Sequence, residues 1–448
     1  MLVRFLVPAN IRHNSGGTVY NTRLAQGLRT LGVDTEVLAV DGSWPDASAA
    51  QRRRLGGVLG AGGRRADITA GTVTLVDGLI ACGAPDELEY AAAAGRSPWV
   101  LLHMPAPSHP DGERRALRAA AGVICTSSSA VASIEMRHGL PACQVALPGT
   151  DPAPKAAGSA PPHIVAVAAL LPNKDQLLTV AALARVQDLA WTASLVGTDD
   201  ADSTYAAQVR GAIASVGLEG RVRVTGQLAG KALADEWNRA DLSLLVSRAE
   251  SFGLVVTESL ARGIPVVVRK GTGAVEALGL AGRLAGGMAG GLGVRPAGGM
   301  AGGLGVRPAG GMAGGLGVRP AGKPEGATYA VPGAAVGLAG PDNSHPDVLA
   351  AVIRQWLLDG TLRAGWRAAA LAAREQLPGW DSTARNVLAI LSAPAGKILA
   401  EETPAEETPA EETPAEETPA EETPTVETPA DGTPAEATPI AARTSGGQ

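Results

Sequence analysis

A chain of 448 residues exceeds one ordinary hydrophobic core and calls for two or three domains. Apolar residues make up 45% of it and aromatics only 3%, so its interior rests on aliphatic side chains rather than rings. The formal charge of −6 conceals two opposed regions: residues 400–439 carry thirteen acids and no base, and without them the remainder stands at +7. Basic residues are scattered and have no interleaved aromatics, which excludes a nucleic-acid-binding reading. The apolar start "MLVRFLVPAN" turns polar after a few residues and reads as a buried strand, not a signal peptide, and no window approaches a membrane span.

In chain order, apolar runs alternate with helical patterns. "VRFLVP" precedes a helix from about Thr18 to Leu31. "DTEVLAV" precedes a helix through Gln51–Val58. "TVTLVDGL", "PWVLLHMP", "GVICTS" and "CQVALPG" follow as strands. A proline-rich join, "GTDPAPKAAGSAPPH", then separates this half from a second series. "HIVAVAAL" leads to a helix from Lys174, "WTASLVG" to one over Tyr205–Val216, and "RVRVTG" to one over Lys231–Arg239. "LSLLVS" leads to one from Phe252, ahead of "IPVVV". Alternation twice over means two doubly wound α/β domains with mostly parallel sheets. Ligands bind such sheets at the carboxyl ends of their strands, so the natural site is a cleft between the two.

Two repeats interrupt this pattern. From Arg283 a twelve-residue unit, "RLAGGMAGGLGV", recurs as "RPAGGMAGGLGV" and offers no apolar face to stack. It reads as a flexible surface-loop expansion; no Lys-Ser/Thr follows it, as a phosphate loop would need. From Ala400 the unit AEETP places a proline at every fifth residue, which forbids a helix and leaves nothing to bury. This is an expected disordered tail, a solubilising spacer or a partner-recruiting segment. Cys82, Cys125 and Cys143 form no CxxC and join no histidine cluster. Cys125 reads as a small core residue, and the three thiols fit a reducing cytoplasm.

Several strand ends carry candidate chemistry. Gly16 and Gly17 lie between the first strand and its helix, where the absent Cβ atoms let an anion approach unpaired amides; a plain tight turn is the alternative. His103 ends a strand at the edge expected to face the cleft, where a lone histidine is either structural or functional. Lys174 opens a helix, a position the macrodipole disfavours for a cation; a bound phosphate would offset this, and a solvated lysine is the alternative. Asp199, Asp200 and Asp202 could hold a divalent metal, but directly before a helix they read better as caps.

The stretch "RAESFGLVVTESLARGIPVVV" holds Glu250 and Glu258 with seven residues between them. Glu250 falls in a turn, and Glu258 lies inside the expected helix about 10 Å further on. That spacing is too wide for two carboxylates acting on one bond. Gly253 lets a ligand reach the amides of Phe252, Gly253, Leu254 and Val255, a cradle for a diphosphate. Glu258, on an otherwise apolar helix, must be paired or meet a ligand.

With these residues in view, the chain resembles a family 4 retaining glycosyltransferase of the GT-B fold over about residues 1–278 and 327–392. The likeness rests on the pair Glu250 and Glu258, on "SLARGIPVV", "GTGAVEAL" and "RVRVTGQL", on the Gly16–Gly17 loop, and on "YAVPGAAVGLAGPDN". It implies two Rossmann-like domains facing across a cleft: an acceptor-side domain over 1–150, with a helix at about 378–394 packing back on it, and a donor domain over 151–377. The repeat at about 283–323 would be an insertion in the second, and 395–448 the tail. It also implies roles. His103 would sit beside the donor sugar and Glu250 would bind its hydroxyls, as the catalytic pair. Gly16, Gly17, Lys174 and the amides of Gly253 and Leu254 would meet the diphosphate. Glu258 would bind the ribose, and Gly226 and Gln227 would lie near the base.

The partners implied are a nucleotide diphosphate sugar and an unidentified acceptor, with no metal and no cofactor. The arginine that usually precedes the family's lysine is missing from "VAALLPNK"; Arg248, Arg269 and Lys270 are the cations that could compensate for it. Its absence motivates one alternative, a non-catalytic nucleotide-sugar binding protein; an epimerase or phosphorylase on the same fold is another. Arg52–Arg54 and Arg114, Arg115 and Arg118 could meet an anionic membrane, but solvated helix faces are the favoured reading.

Overall fold

The computed structural model describes residues 1–11, 15–60, 71–140, 143–283, 332–338 and 346–393. The glycine-rich repeat after Arg283 and the AEETP segment lie outside the described residues, so the expectations for them are not addressed by it.

The first half runs β1 (Leu2–Pro8), α1 (Gly16–Thr30), β2 (Asp34–Val40), α2 (Ala49–Leu59), β3 (Thr72–Asp77), α3 (Gly78–Gly83), α4 (Pro85–Ala93), β4 (Trp99–Leu102), α5 (Pro110–Ala119), β5 (Gly122–Cys125), α6 (Ser128–His138) and β6 (Gln144–Val145). Its six strands order as β2-β1-β3-β4-β5-β6, every pair parallel. The second half runs β7 (His163–Val167), a single 3₁₀ turn (Pro172–Lys174), α7 (Gln176–Ala184), β8 (Thr192–Val196), α8 (Ser203–Ser215), β9 (Val222–Gly226), α9 (Gly230–Arg239), β10 (Leu242–Leu245), α10 (Leu254–Leu260), β11 (Val266–Arg269), α11 (Ala274–Arg283) and β12 (Gly333–Val336). These six strands order as β12-β11-β10-β7-β8-β9, again all parallel. Three helices close the described chain: α12 (Pro346–Leu358), α13 (Gly360–Arg374) and α14 (Trp380–Ser392).

Strand pleat divides the side chains between layers. Val3 and Phe5 of β1 pack with Leu24 and Leu28 of α1 and with Ala384 and Val387 of α14. Leu6 points the other way, into a cluster with Leu55, Val76, Ile80 and Leu102. Helix α14 thus lies on the first sheet's side of the molecule. It comes so close that a Cβ on Gly27 would stand 2.6 Å from that of Ala384. Tyr20 Oη donates to the Ala146 carbonyl (2.9 Å), Thr383 Oγ1 to Leu147 (2.8 Å) and the Thr150 amide to Pro378 (2.8 Å), which stitches the returning segment in place. The second sheet's main core holds Ile164, Leu195, Trp191, Trp356 and Trp366.

Helix starts follow local chemistry. Ser15, Ser127 and Asp202 each accept a first-turn amide, and Ser48 with Gln51 forms a capping box. The expected strand "TVTLVDGL" ends earlier, at Asp77, because that carboxylate caps α3. Helices α3, α4 and α6 have no counterpart among the elements read from sequence.

The strand orders locate the crevices. In the first sheet the chain reverses direction between β1 and β3, and in the second between β7 and β10. Ligands of doubly wound sheets bind outside the carboxyl ends of the strands at such switch points.

Candidate active site

The second sheet's switch point brings the turns after β7 and β10 side by side. Arg248 N–H donates to the Asn173 carbonyl at 2.7 Å, tying the two turns together. Lys174 Nζ then donates to Glu250 Oε2 at 2.8 Å. Residues 76 apart in sequence meet because their strands are neighbours.

Lys174 does not open α7, as the pattern predicts. It ends the 3₁₀ turn, and Asp175, with φ at 56°, breaks the chain before the helix. A left-handed aspartate is uncommon and costs conformational energy. Here it turns a buried carboxylate toward two guanidinium groups. Arg248 Nε stands 3.2 Å from Asp175 Oδ2, and Arg269 Nη2 also pairs with it. Arg269 is itself buried and donates to the Val246 carbonyl at 2.8 Å, so it is committed to the fold. Arg248 keeps 47% of its side chain exposed beside Lys174. Of the two arginines that meet Asp175, the residue after Lys174, it is the one left substantially exposed.

After Glu250 the backbone is shaped by glycines. Gly253 adopts φ 89°, and a Cβ there would lie 2.9 Å from Leu245 Cδ2. A residue in that conformation cannot be helical, so α10 begins at Leu254 rather than Phe252. The Phe252 ring packs into the core with Val256 and Leu260, leaving its backbone as the part free for a ligand. No side chain caps this helix start, so the first-turn amides of Leu254 and Val255 have no protein side chain answering them. Gly273 packs on the same turn: its N–H donates to the Glu250 carbonyl at 2.7 Å, and a Cβ there would fall 1.8 Å from the Ser251 carbonyl oxygen.

Glu258 is the fifth residue of this seven-residue helix. It forms no ion pair within 4 Å among the described residues. Burial pushes its carboxyl above the usual range; Arg262 opposes that shift and Asp151 adds to it. Arg262 lies 4.9 Å over the Trp237 ring and donates to the Glu258 backbone carbonyl at 2.7 Å.

On the first sheet, Ser15 Oγ accepts the Thr18 amide at 3.1 Å and starts α1 with Gly16 and Gly17 in its first turn. A Cβ on Gly17 would stand 3.1 Å from His103 Cδ2, so the glycine lets the helix start lie against that ring. His103 Nε2 is 2.6 Å from Asn21 Oδ1 and 3.5 Å from Asp77 Oδ2, while Asn21 Nδ2 donates to Asp77 Oδ2 at 2.9 Å. Burial lowers the His103 pKa, with Asp77 acting against that shift. Asn21 and Asp77 were missed in the sequence, although an aspartate closing an apolar strand and an asparagine one turn after Gly17 are the available signals.

Two contacts join the halves here. A Cβ on Gly16 would lie 3.6 Å from Leu254 Cδ1. Glu276 of α11 accepts the Ser128 hydroxyl at 2.9 Å and the Ser128 and Ser129 amides at 3.2 Å, at the N-terminus of α6. Gly16, Gly17, His103 and Leu254 are thus neighbours, and Lys174, Glu250 and Gly253 form a second group at the adjacent switch point. Gly226 (φ 70°) ends β9, two strands from β7, and the exposed Gln227 follows it; no described contact joins them to Lys174 or Glu250. Asp202 caps α8 by accepting the Tyr205 amide at 2.9 Å, and Asp199 pairs with Arg210. A groove of about 670 Å³ lies at the opposite, N-terminal ends of β8 and β9. Its Arg223 and Arg239 are paired with Glu236, and its lining includes none of Gly16, Gly17, His103, Lys174, Glu250 and Glu258.

Residues 150–283 match the family model for Glycosyl transferases group 1. This glycosyltransferase segment contains Lys174, Gly226, Gln227, Glu250, Glu258 and Glu276, whereas Gly16, Gly17, Asn21, Asp77 and His103 lie before it. A glycosyltransferase from Rickettsia africae is similar in structure, with a TM-score of 0.59 at 14% identity, over 89% of this chain and 99% of that one. Sucrose-phosphate synthase from Thermosynechococcus elongatus gives 0.59 at 17%, over 87% and 98%. Anabaena Alr3699/HepE in complex with UDP-glucose gives 0.58 at 18%, over 88% and 100%. These likenesses establish the GT-B fold. Mannosylfructose-phosphate synthase from Agrobacterium fabrum is 39% identical over 70 residues, which is 16% of this chain and only 15% of that protein's length.

Proposed function

We propose that the chain is a retaining glycosyltransferase that moves a sugar from a nucleotide diphosphate sugar to an acceptor hydroxyl without a metal or other cofactor. The observation that carries this reading is the Lys174–Glu250 pair at the β7/β10 switch point, beside the uncapped start of α10. A cation, a set of free amides and a carboxylate in that order suit a diphosphate followed by a sugar. The glycosyltransferase segment and the Anabaena complexes with UDP and UDP-glucose support the donor class.

In this reading Lys174 and the amides of Leu254 and Val255 bear the charge that grows on the leaving diphosphate. Arg248 supplies the second cation that the missing arginine would have given. Glu250 holds sugar hydroxyls, Glu258 the ribose, and His103 faces the sugar from the first sheet. The bond from the anomeric carbon to the phosphate oxygen breaks as the acceptor oxygen bonds on the same face. The acceptor proton passes to the departing phosphate oxygen. Two relatives are named as synthases of sugar phosphates, so sugar phosphates belong among the acceptors tried first. A cytoplasmic setting belongs to the same proposal and rests on the three free cysteines.

Titration calorimetry with UDP-, GDP- and ADP-sugars, followed by assay of diphosphate release with each acceptor, tests this. A donor that binds but is never turned over would favour the non-catalytic reading that the missing arginine motivates.

A further inference from the structure

The hydrogen-bond chain behind His103 has a fixed direction. Asp77 is buried, and both of its oxygens accept: Oδ1 takes the Leu79 amide at 3.0 Å and Oδ2 takes Asn21 Nδ2 at 2.9 Å. A carboxylate has no proton to give, so the Asn21 NH₂ group must face Asp77 and its Oδ1 must face His103. Both groups within 3.5 Å of His103 Nε2, Asn21 Oδ1 and Asp77 Oδ2, are then acceptors. Nε2 must carry the proton. Burial disfavours a second proton on the ring. Gly17 lies against the Cδ2 edge, which places Nδ1 on the opposite edge, with no hydrogen-bond partner among the described residues.

We propose that Asn21, aimed by Asp77, is a positioning residue that locks His103 as its Nε2–H tautomer, so that Nδ1 serves as a hydrogen-bond acceptor for a hydroxyl of the bound ligand. The ligand half of this rests on the reading of His103 as a donor-sugar contact; the tautomer half does not. The arrangement selects a hydroxyl, which can donate, over a carbonyl or an unprotonated phosphate oxygen at the same place, because a site lone pair rejects a second acceptor.

Nitrogen-15 NMR of the histidine rings, with His103 assigned from a His103→Gln sample, reads the tautomer directly in the wild-type chain. Protonation at Nε2 alone at neutral pH is expected; protonation at Nδ1, or at both nitrogens, overturns the proposal. Asp77→Asn should reverse the chain. Its amide donates toward Asn21, whose NH₂ then turns to His103 and moves the ring proton to Nδ1. Adding Asn21→Asp to Asp77→Asn restores an acceptor toward His103 and should restore the Nε2–H tautomer. A merely structural role for these residues would not produce that reversal and rescue, and an unchanged tautomer in Asp77→Asn overturns the proposal. With a donor in hand, Asp77→Asn should lower kcat/KM by about tenfold or more, the worth of one hydrogen bond to a buried site, and the swapped pair should recover part of it. A reversed tautomer with unchanged kcat/KM would remove the ligand half while leaving the donor reading to be judged by binding.

Discussion

Lys174 Nζ and Glu250 Oε2 are bonded at 2.8 Å, each largely covered by its surroundings. The group proposed to meet the diphosphate therefore holds the group proposed to meet the sugar. Their loss should be felt differently. Lys174→Met removes a charge-assisted bond to phosphate and should weaken nucleoside diphosphate binding by about 10- to 100-fold, with a smaller effect on the monophosphate. Glu250→Gln should leave nucleoside diphosphate affinity within a few fold and lower turnover by about 100-fold or more. Calorimetry and steady-state kinetics on the two variants check this; matching losses in both would contradict it.

Glu258 sets up a dependence on pH. Its carboxyl is held above the usual range chiefly by burial, so the folded state favours the protonated form. A raised carboxyl contributes stability that is complete below its unfolded value, about 4.3, and lost as pH rises through the folded value. Glu258→Gln should therefore melt higher than wild type at neutral pH, and the two curves should meet toward about pH 4. The same variant should weaken nucleotide binding more than it slows transfer. Melting curves across pH, set beside calorimetry, read both effects.

The glycines make graded claims. Gly273→Ala would force a Cβ to within 1.8 Å of the Ser251 carbonyl oxygen, and backbone cannot move aside cheaply. It should cost at least about 2 kcal/mol of stability. Gly17→Ala meets the His103 ring at 3.1 Å and should lower activity while the fold survives. Gly16→Ala meets only Leu254 Cδ1, at 3.6 Å, and should change stability by no more than about 0.5 kcal/mol. Denaturant unfolding of the three variants ranks them.

Glu276 bridges the two halves by accepting three hydrogen bonds at the start of α6. A carboxylate at a helix N-terminus also complements its dipole. If the joined arrangement is the one that binds donor, Glu276→Ala should lower apparent affinity by a few fold, in proportion to the population that opens. Small-angle scattering should show that variant more extended, and saturating donor should reverse the change.

Much of this was legible beforehand. The strand β2, Asp34–Val40, coincides with the apolar run read from sequence, and α14, Trp380–Ser392, lies within the span of about 378–394 given for that helix. Period-two and period-3.6 patterns survive in a chain poor in aromatics because Val, Ile and Leu mark the buried faces. Boundaries failed where one residue's backbone decided the matter. Gly253 and Asp175, both left-handed, delay the helices after them, and no hydrophobic pattern encodes that. The site was half legible. Glycines, Lys174 and the two glutamates stand out against apolar neighbours. Asn21, Asp77 and Glu276 act through partners 56 to 148 residues away, which only the sheet order brings together.

The most direct test of the account is donor binding by the wild-type chain and by Lys174→Met, measured by titration calorimetry over a panel of nucleotide diphosphate sugars. The account predicts that at least one of them binds the wild type, that the variant binds it about 10- to 100-fold more weakly, and that transfer to an acceptor keeps the anomeric configuration. Failure of every nucleotide sugar to bind the folded wild-type chain, or binding that is indifferent to Lys174, would contradict it.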